Sequence, residues 1–306
     1  MVADDYLAAM SDRWTNAKTR WQWEKTLTDL AKPIRGRPIA QINTTDVLKL
    51  LKPIWKEKPE TAAKARMRLE GVIDYAKAKG WREGENPARW RGHLSNILPA
   101  RQKLTKGHHP AMLYSQVPGF VANLQASEAM AASALEFLIL TAARTGEVLK
   151  ATWDEFDLQA EIWEIPPERM KAKRGHRVPL TTDMLSILRP LHEARTSNYV
   201  FPGQKPKQPL SNMALEMLMK RMKITDATPH GFRSSFRDWC GDETSFAREI
   251  AEAALAHKAG DSTESAYRRS DALEKRRQLM QSWSDYCHGR IRHKVVNLHT
   301  GNQLGA

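Results

Sequence analysis

Residues 161–180, EIWEIPPERMKAKRGHRVPL, hold the strand signal that decides the class of fold. Two short apolar runs, 161–165 and 177–180, flank the charged stretch 168–176 with its Gly175, and together they read as a hairpin with a basic turn. On either side the pattern is helical. Downstream, helices are expected at 182–188, 211–222, 230–240, 247–254 and 272–286; upstream, at 117–125 and 128–142, with another opening at 145–150. The second part of the chain is therefore mainly α with a small antiparallel sheet. The first hundred residues read as helices alone, at 4–15, 20–30, 45–52 behind the cap-like Asn43-Thr44, and 60–79, which Gly80 closes. On the last of these, Ala65, Leu69, Val72, Ile73 and Ala76 form a buried stripe, and Lys64 and Arg68, four apart, make a basic shoulder beside it. Irregular, basic text around residues 86–110 separates the halves, giving a domain over 1–100, a linker over 101–110 and a second domain over 111–306.

The 306 residues are enough for two ordinary domains, each with its own core. The longest apolar run, around 131–143, is broken by Ser133 and Glu136 and falls short of the roughly 18 residues a membrane span needs. The N-terminus carries acids and lacks the basic start and apolar core of a secretory signal, so a cytoplasmic protein is expected. Two cysteines, Cys240 and Cys287, exclude a disulfide framework and are too few for a structural zinc site by themselves. A net charge of +13 attracts polyanions, with nucleic acid the commonest and a membrane surface or ribosome the alternatives. The first hundred residues, with 19 Lys and Arg against 12 Asp and Glu, are the denser basic surface.

Five places carry candidate chemistry. In ARTGE, Arg144 follows an apolar helix and meets a glycine break, and Glu147, three residues on, is placed to pair with it. Lys171 stands beside the hairpin turn, where a lysine can reach a DNA groove as a proton donor. In HGFR, His230 and Arg233 put a titratable donor and a fixed cation at a helix start, a ready anion site. His257 lies in the polar break LAHK after an apolar helix, and Tyr267 in AYRR follows ten positions later.

Taken in this order, Arg144, Lys171, His230, Arg233, His257 and Tyr267 resemble the phage and genomic-island integrases of the tyrosine recombinase family, and VFPG at 200–203 falls where those integrases carry it. The resemblance covers nearly the whole chain. It implies a core-type DNA-binding domain followed by a catalytic domain, and a site-specific recombinase that cuts and rejoins DNA through a 3′-phosphotyrosine. Tyr267 is then the nucleophile, Arg144 and Arg233 the phosphate holders, Lys171 the acid for the leaving 5′ oxygen, His230 an auxiliary acid or base and His257 a donor to a non-bridging oxygen, with Glu147 in support. Lys64 and Arg68 become DNA contacts. Neither metal nor other cofactor is implied, since guanidinium groups supply the charge stabilisation, and the chain has no Gly-Lys-Ser/Thr phosphate loop. The partners expected are double-stranded DNA at attachment or core sites, further copies of the chain as a tetramer on DNA, and accessory DNA-bending or directionality proteins; the place is the nucleoid rather than a membrane.

Three rivals frame this reading. A type IB topoisomerase-like or telomere-resolving enzyme uses the same residues in another assembly, and the helix at 272–286 favours the recombinase as an element that docks on a neighbour. A DNA-binding regulator with a decayed site is opposed by the occupancy of every expected position. A metal nuclease needs clustered carboxylates, whereas Asp154, Glu155 and Asp157 read as a surface turn. Integrases of this branch usually begin with a further arm-binding domain; nothing here precedes the core-binding part, so either truncation or a natural lack of arm-site binding is expected.

Overall fold

The computed structural model describes residues 2–14, 16–100, 110–257 and 271–290. Contacts divide the chain into two compact units, Met1–Thr105 and Lys106–Ala306.

The first unit is helical: α1 Val2–Ala9, α2 Ala17–Lys25 running into a π turn Thr26–Leu30, α3 Lys32–Arg35, α4 Thr44–Trp55 and α5 Pro59–Ala78. Helix α4 starts where Asn43 and Asp46 exchange backbone and side-chain hydrogen bonds, at 3.2 and 3.0 Å, which satisfies two donors at the helix start. Val47, Leu50 and Leu51 of α4 meet the stripe Ala65, Leu69, Val72 and Ile73 of α5 in one core. Arg68 corrects the expected basic shoulder. Its guanidinium turns inward to the Gln22 carbonyl (3.0 Å), the Thr26 hydroxyl (2.7 Å) and the Gln22 side chain (3.2 Å), and lies over the Trp23 ring. Only 9% of the residue is exposed, and burial lowers its pKa. An arginine so placed fastens α5 to α2 and is withdrawn from the surface, whereas Lys64, one turn earlier, is exposed.

The second unit is built around α7, Met130–Thr141, which is apolar on almost every side and accordingly buried from Ala134 to Thr141. Around it stand α6 Val117–Gln125, α9 Thr182–Glu193, α10 Asn212–Arg221, α11 Phe232–Glu243 and α13 Leu273–Cys287, with the short α8 Thr145–Leu149 and α12 Arg248–Ala254. The hairpin is present as β2 Ile162–Ile165 and β3 His176–Pro179, and a strand the sequence did not suggest, β1 Phe156–Asp157, extends the sheet to three antiparallel strands. Register puts Trp163 opposite Val178 and Ile165 opposite His176 on the core face, and Glu164 opposite Arg177 on the outer face. Glu155 corrects the expectation of a surface turn: it is 8% exposed and accepts hydrogen bonds from Trp163 (2.9 Å) and Thr152 (3.2 Å).

Helix α13 is a core element of its own unit, with Leu279, Met280, Trp283 and Cys287 buried and the Trp283 indole donating to the Ile139 carbonyl of α7 at 2.8 Å. Its start is tied to the sheet. The Arg276 guanidinium, 1% exposed, donates to the Arg177 carbonyl and to Asp271, and Asp271 receives Arg177 through two parallel bonds of 2.9 and 2.8 Å. Among the described residues no helix is long and apolar enough to cross a membrane.

Candidate active site

Two helix ends make the site. Helix α7 stops at Ala142 and α12 is followed by Leu255 and Ala256; Ala142 and Ala256 both take left-handed backbone angles, φ 49° and 48°. A helix end leaves carbonyls without partners and carries partial negative charge, so cations are favoured there. The cations are Arg144 and Arg233. Arg233, at the start of α11, donates to the Ala142 carbonyl at 2.5 Å and to the Leu255 carbonyl at 2.7 Å. Arg144, just ahead of α8, donates to the Ala256 carbonyl at 3.4 Å and to Glu147 at 2.8 Å, while its own backbone N–H donates to the second Glu147 oxygen at 2.9 Å. Glu147 is buried and thus holds both the fork and the backbone of Arg144.

His257 completes the group. Its Nε2 lies 3.0 Å from Arg233 Nη2, and its Nδ1 lies 2.8 Å from Glu252. A guanidinium only donates and a carboxylate only accepts, so these partners select the tautomer with hydrogen on Nδ1. Burial pushes the Glu252 carboxyl up, but the hydrogen bonds from Arg237 and His257 outweigh it and the pKa falls, keeping an anion behind the ring. Both ring nitrogens face protein groups, so donation from His257 to a phosphate oxygen requires protonated Nε2 and an exchange of Arg233 for the phosphate.

Arg233 is 5% exposed; burial first, and the charge of Arg144 second, pull its pKa down to about 10. It therefore stays a cation at neutral pH beside another cation. His176 of β3 faces the same place: burial, then the charge of Arg276, lower its pKa to about 4, Arg144 and Arg233 act in the same direction, and its ring bonds to the Ala254 carbonyl. It is neutral, as a third positive neighbour would be costly there.

The turn holding His230, Pro229–Gly231, is capped by the Thr228 hydroxyl, which accepts the Gly231 N–H at 3.1 Å. A Cβ on Gly231 would collide with the Pro110 carbonyl oxygen and approach Ala111 Cα to 2.9 Å, so this turn admits only glycine. His230 is exposed, as is Lys171, which stands in the turn between β2 and β3. Hydrogen bonds join Arg233 to His257 and hold both arginines on adjacent carbonyls; Lys171 stands outside that bonded group. Tyr267 lies outside the described residues. The sequence did not single out His176, Glu252, Arg169 or Arg276, whose partners lie outside their own elements or on the backbone, where composition gives no signal. No group of three or more His, Cys, Asp or Glu placed to hold a metal ion occurs among the described residues.

Known proteins share this architecture. Residues 1–93 match the phage integrase central domain and residues 111–274 the phage integrase family. Prophage integrase IntA of Escherichia coli K12 is 30% identical over 292 residues, 90% of this chain and 68% of that protein. The integrase of Enterobacteria phage P4 is 28% identical over 274 residues, 83% of this chain and 61% of that protein. Among solved structures, a lambda integrase (75–356) dimer bound to a COC′ core site superposes with TM-score 0.64 at 18% identity, covering 84% of this chain and 94% of that one. The Tn1549 transposon integrase in complex with circular intermediate DNA superposes with TM-score 0.57 at 15% identity, covering 88% of this chain and 99% of that one, a likeness of fold. Matched along both of its units, the chain belongs to the phage integrase family and is a tyrosine recombinase of the phage type.

Proposed function

We propose that this site-specific recombinase binds duplex DNA at core-type sites and uses Tyr267 as its nucleophile, with Arg144 and Arg233 holding the scissile phosphate. One observation carries the reading: two guanidinium groups, far apart in sequence, converge on the ends of α7 and α12, and the charge of one lowers the pKa of the other. Gathering like charge in a half-buried place costs stability, and an anion placed between the two cations removes that cost.

In the proposed reaction the Tyr267 oxygen attacks phosphorus, the bond from phosphorus to the 5′ oxygen breaks, and a 3′-phosphotyrosine forms. The phenol proton passes to a base, with His230 the candidate, because a free phenol ionises only near pH ~10. Lys171 supplies a proton to the leaving 5′ oxygen. The covalent link conserves the phosphodiester bond, so a 5′ hydroxyl of another strand reverses the steps and rejoins DNA without nucleotide hydrolysis. Exposed Lys64 is assigned to DNA backbone contact. Lambda integrase has been solved as a tetramer bound to a Holliday junction; for this chain we infer likewise four copies on two duplexes, at the nucleoid, with accessory DNA-bending proteins as further partners.

The test is covalent capture on a nicked duplex spanning the end sequence of the mobile element that encodes the chain. A denaturing gel should show a slowed protein band whose DNA-linked peptide contains Tyr267, formed equally in EDTA, and absent in Tyr267→Phe although that variant still binds the duplex. A link at Tyr286 or elsewhere, or a band that needs added magnesium, refutes the assignment.

A further inference from the structure

Lys171 stands in an exposed turn, and a four-carbon side chain on such a turn has no fixed place of its own. What holds the turn begins two residues earlier. A 3₁₀ turn, Pro167–Arg169, is closed by N–H groups of Arg169 and Met170 donating to the carbonyls of Pro166 and Pro167, each at 3.1 Å. Met170 then enters the core at 3% exposure, directly before Lys171.

The Arg169 side chain makes the unusual connection. One guanidinium nitrogen donates to both carboxylate oxygens of buried Glu155, and the other donates at 2.5 Å to the backbone carbonyl of Glu147. Glu147 is the residue whose carboxylate grips the fork and the N–H of Arg144. Glu155 in turn is fixed by Trp163 of β2. A continuous set of bonds thus runs from the phosphate-holding Arg144 through Glu147 to Arg169, and along two residues of chain to Lys171. An exposed ion pair of this kind would contribute little, but here the Glu155 side chain is 5% and the Arg169 side chain 19% exposed, so removing one partner strands a buried charge.

We propose that Arg169 is a positioning residue for proton delivery: it sets the Lys171 turn against α8, so that the acid keeps register with the phosphate held by Arg144. The proposal rests on the reading of Lys171 as the acid.

A change of leaving group separates the roles. With sulfur in place of the bridging 5′ oxygen, the leaving group is a thiolate, whose conjugate acid ionises near ~8.5, so it departs without a proton donor. Cleavage by the full chain is measured on matched oxygen and sulfur nicked duplexes for the wild type, Lys171→Ala, Arg169→Lys, Glu155→Gln and Arg233→Ala, with thermal unfolding as the folding control. Arg169→Lys keeps the charge opposite Glu155 while losing the fork, which guards against simple loss of fold.

Lys171→Ala should lose on the order of 10²–10⁴-fold on oxygen and recover to within a few-fold of wild type on sulfur. Arg169→Lys and Glu155→Gln should lose roughly 10- to 100-fold on oxygen and recover likewise, the size expected for a misplaced catalytic group. Arg233→Ala should stay slow on both. Equal losses on both duplexes for Arg169→Lys and Glu155→Gln, or no loss on oxygen, overturn the positioning role while leaving Lys171 in place. Failure of sulfur to rescue Lys171→Ala removes the acid assignment and the proposal with it.

Discussion

Each unit buries an arginine, Arg68 in the first at 9% exposure and Arg233 in the second at 5%, and the two are used in opposite ways. Arg68 is surrounded by neutral acceptors and an indole face, and burial alone lowers its pKa. Arg233 also bonds to neutral carbonyls, but a second cation, Arg144, acts on it from nearby. Burial of an arginine is therefore no mark of a site. Nor is a second cation alone: Arg276, 1% exposed, feels the charge of Arg177 but bonds to the Asp271 carboxylate. Among the described residues Arg233 faces Arg144 with no carboxylate bonded to it, a cost that a bound anion removes.

The largest expected effects divide along that line. Arg233→Ala should slow cleavage by about 10²–10³-fold, the loss typical of one preorganised charge donor, while affinity for duplex DNA changes far less. Arg68→Ala should cost about 2–3 kcal/mol of stability, since it removes the bonds to Gln22 and Thr26 and the contact with the Trp23 ring from a buried place, and should cleave normally below its unfolding temperature. Single-turnover cleavage and thermal unfolding of both variants decide it: a slow but stable Arg68→Ala would make that residue part of the DNA surface after all.

His176 sharpens the electrostatic side. Its folded pKa of about 4 lies below the free value of 6.5, so the unfolded chain takes up the proton first. Its contribution is complete above pH 6.5, declines as pH falls to about 4, and changes no further below that. The window corresponds to about 3 kcal/mol at most. Denaturant melts between those pH values should show a smaller loss for His176→Gln than for wild type; identical slopes would mean that burial and the cationic neighbours do not hold the ring neutral.

Ala142 tests the helix end that Arg233 uses. An alanine at φ 49° costs about 1–2 kcal/mol relative to a backbone without a Cβ. Ala142→Gly should therefore be neutral or stabilising by about 1 kcal/mol in an unfolding titration, although glycine inside α7 would destabilise. A clear loss of stability would contradict the strained cap. The smallest effect belongs to Lys64: Lys64→Ala should weaken DNA binding uniformly across sequences and reduce the salt slope by about one. An unchanged slope would take α5 off the DNA.

These contrasts also show what could be read from the chain. The helices and the hairpin were legible because their signals are local: an apolar period along α5, an Asn43 cap, two apolar runs around a basic turn. Arg144, Arg233 and His257 were legible as candidates because each stands at a break after a helix or at the start of one. The sense of Arg68 was not, because its position on α5 beside the stripe does not reveal that Gln22, Thr26 and Trp23 would arrive there. Glu155 was misread for the same reason: its acidic neighbours suggested a surface, and its partners Trp163 and Arg169 lie further along the chain. The left-handed alanines left no trace in the sequence, where glycine would have announced such a cap.

The central claim is that Arg144 and Arg233 act on the charge of the scissile phosphate, and exchanging one non-bridging oxygen for a methyl group tests it most directly by making that phosphate neutral. Cleavage rates of the wild type, Arg144→Ala and Arg233→Ala are compared on phosphate and methylphosphonate duplexes of otherwise equal sequence. The account predicts that each arginine variant loses about 10²–10³-fold on the phosphate and only a few-fold on at least one methylphosphonate stereoisomer, where the charge it answers is gone. Equal losses on the charged and neutral duplexes would contradict it, and would assign the two arginines to holding the helix ends together rather than to the reaction.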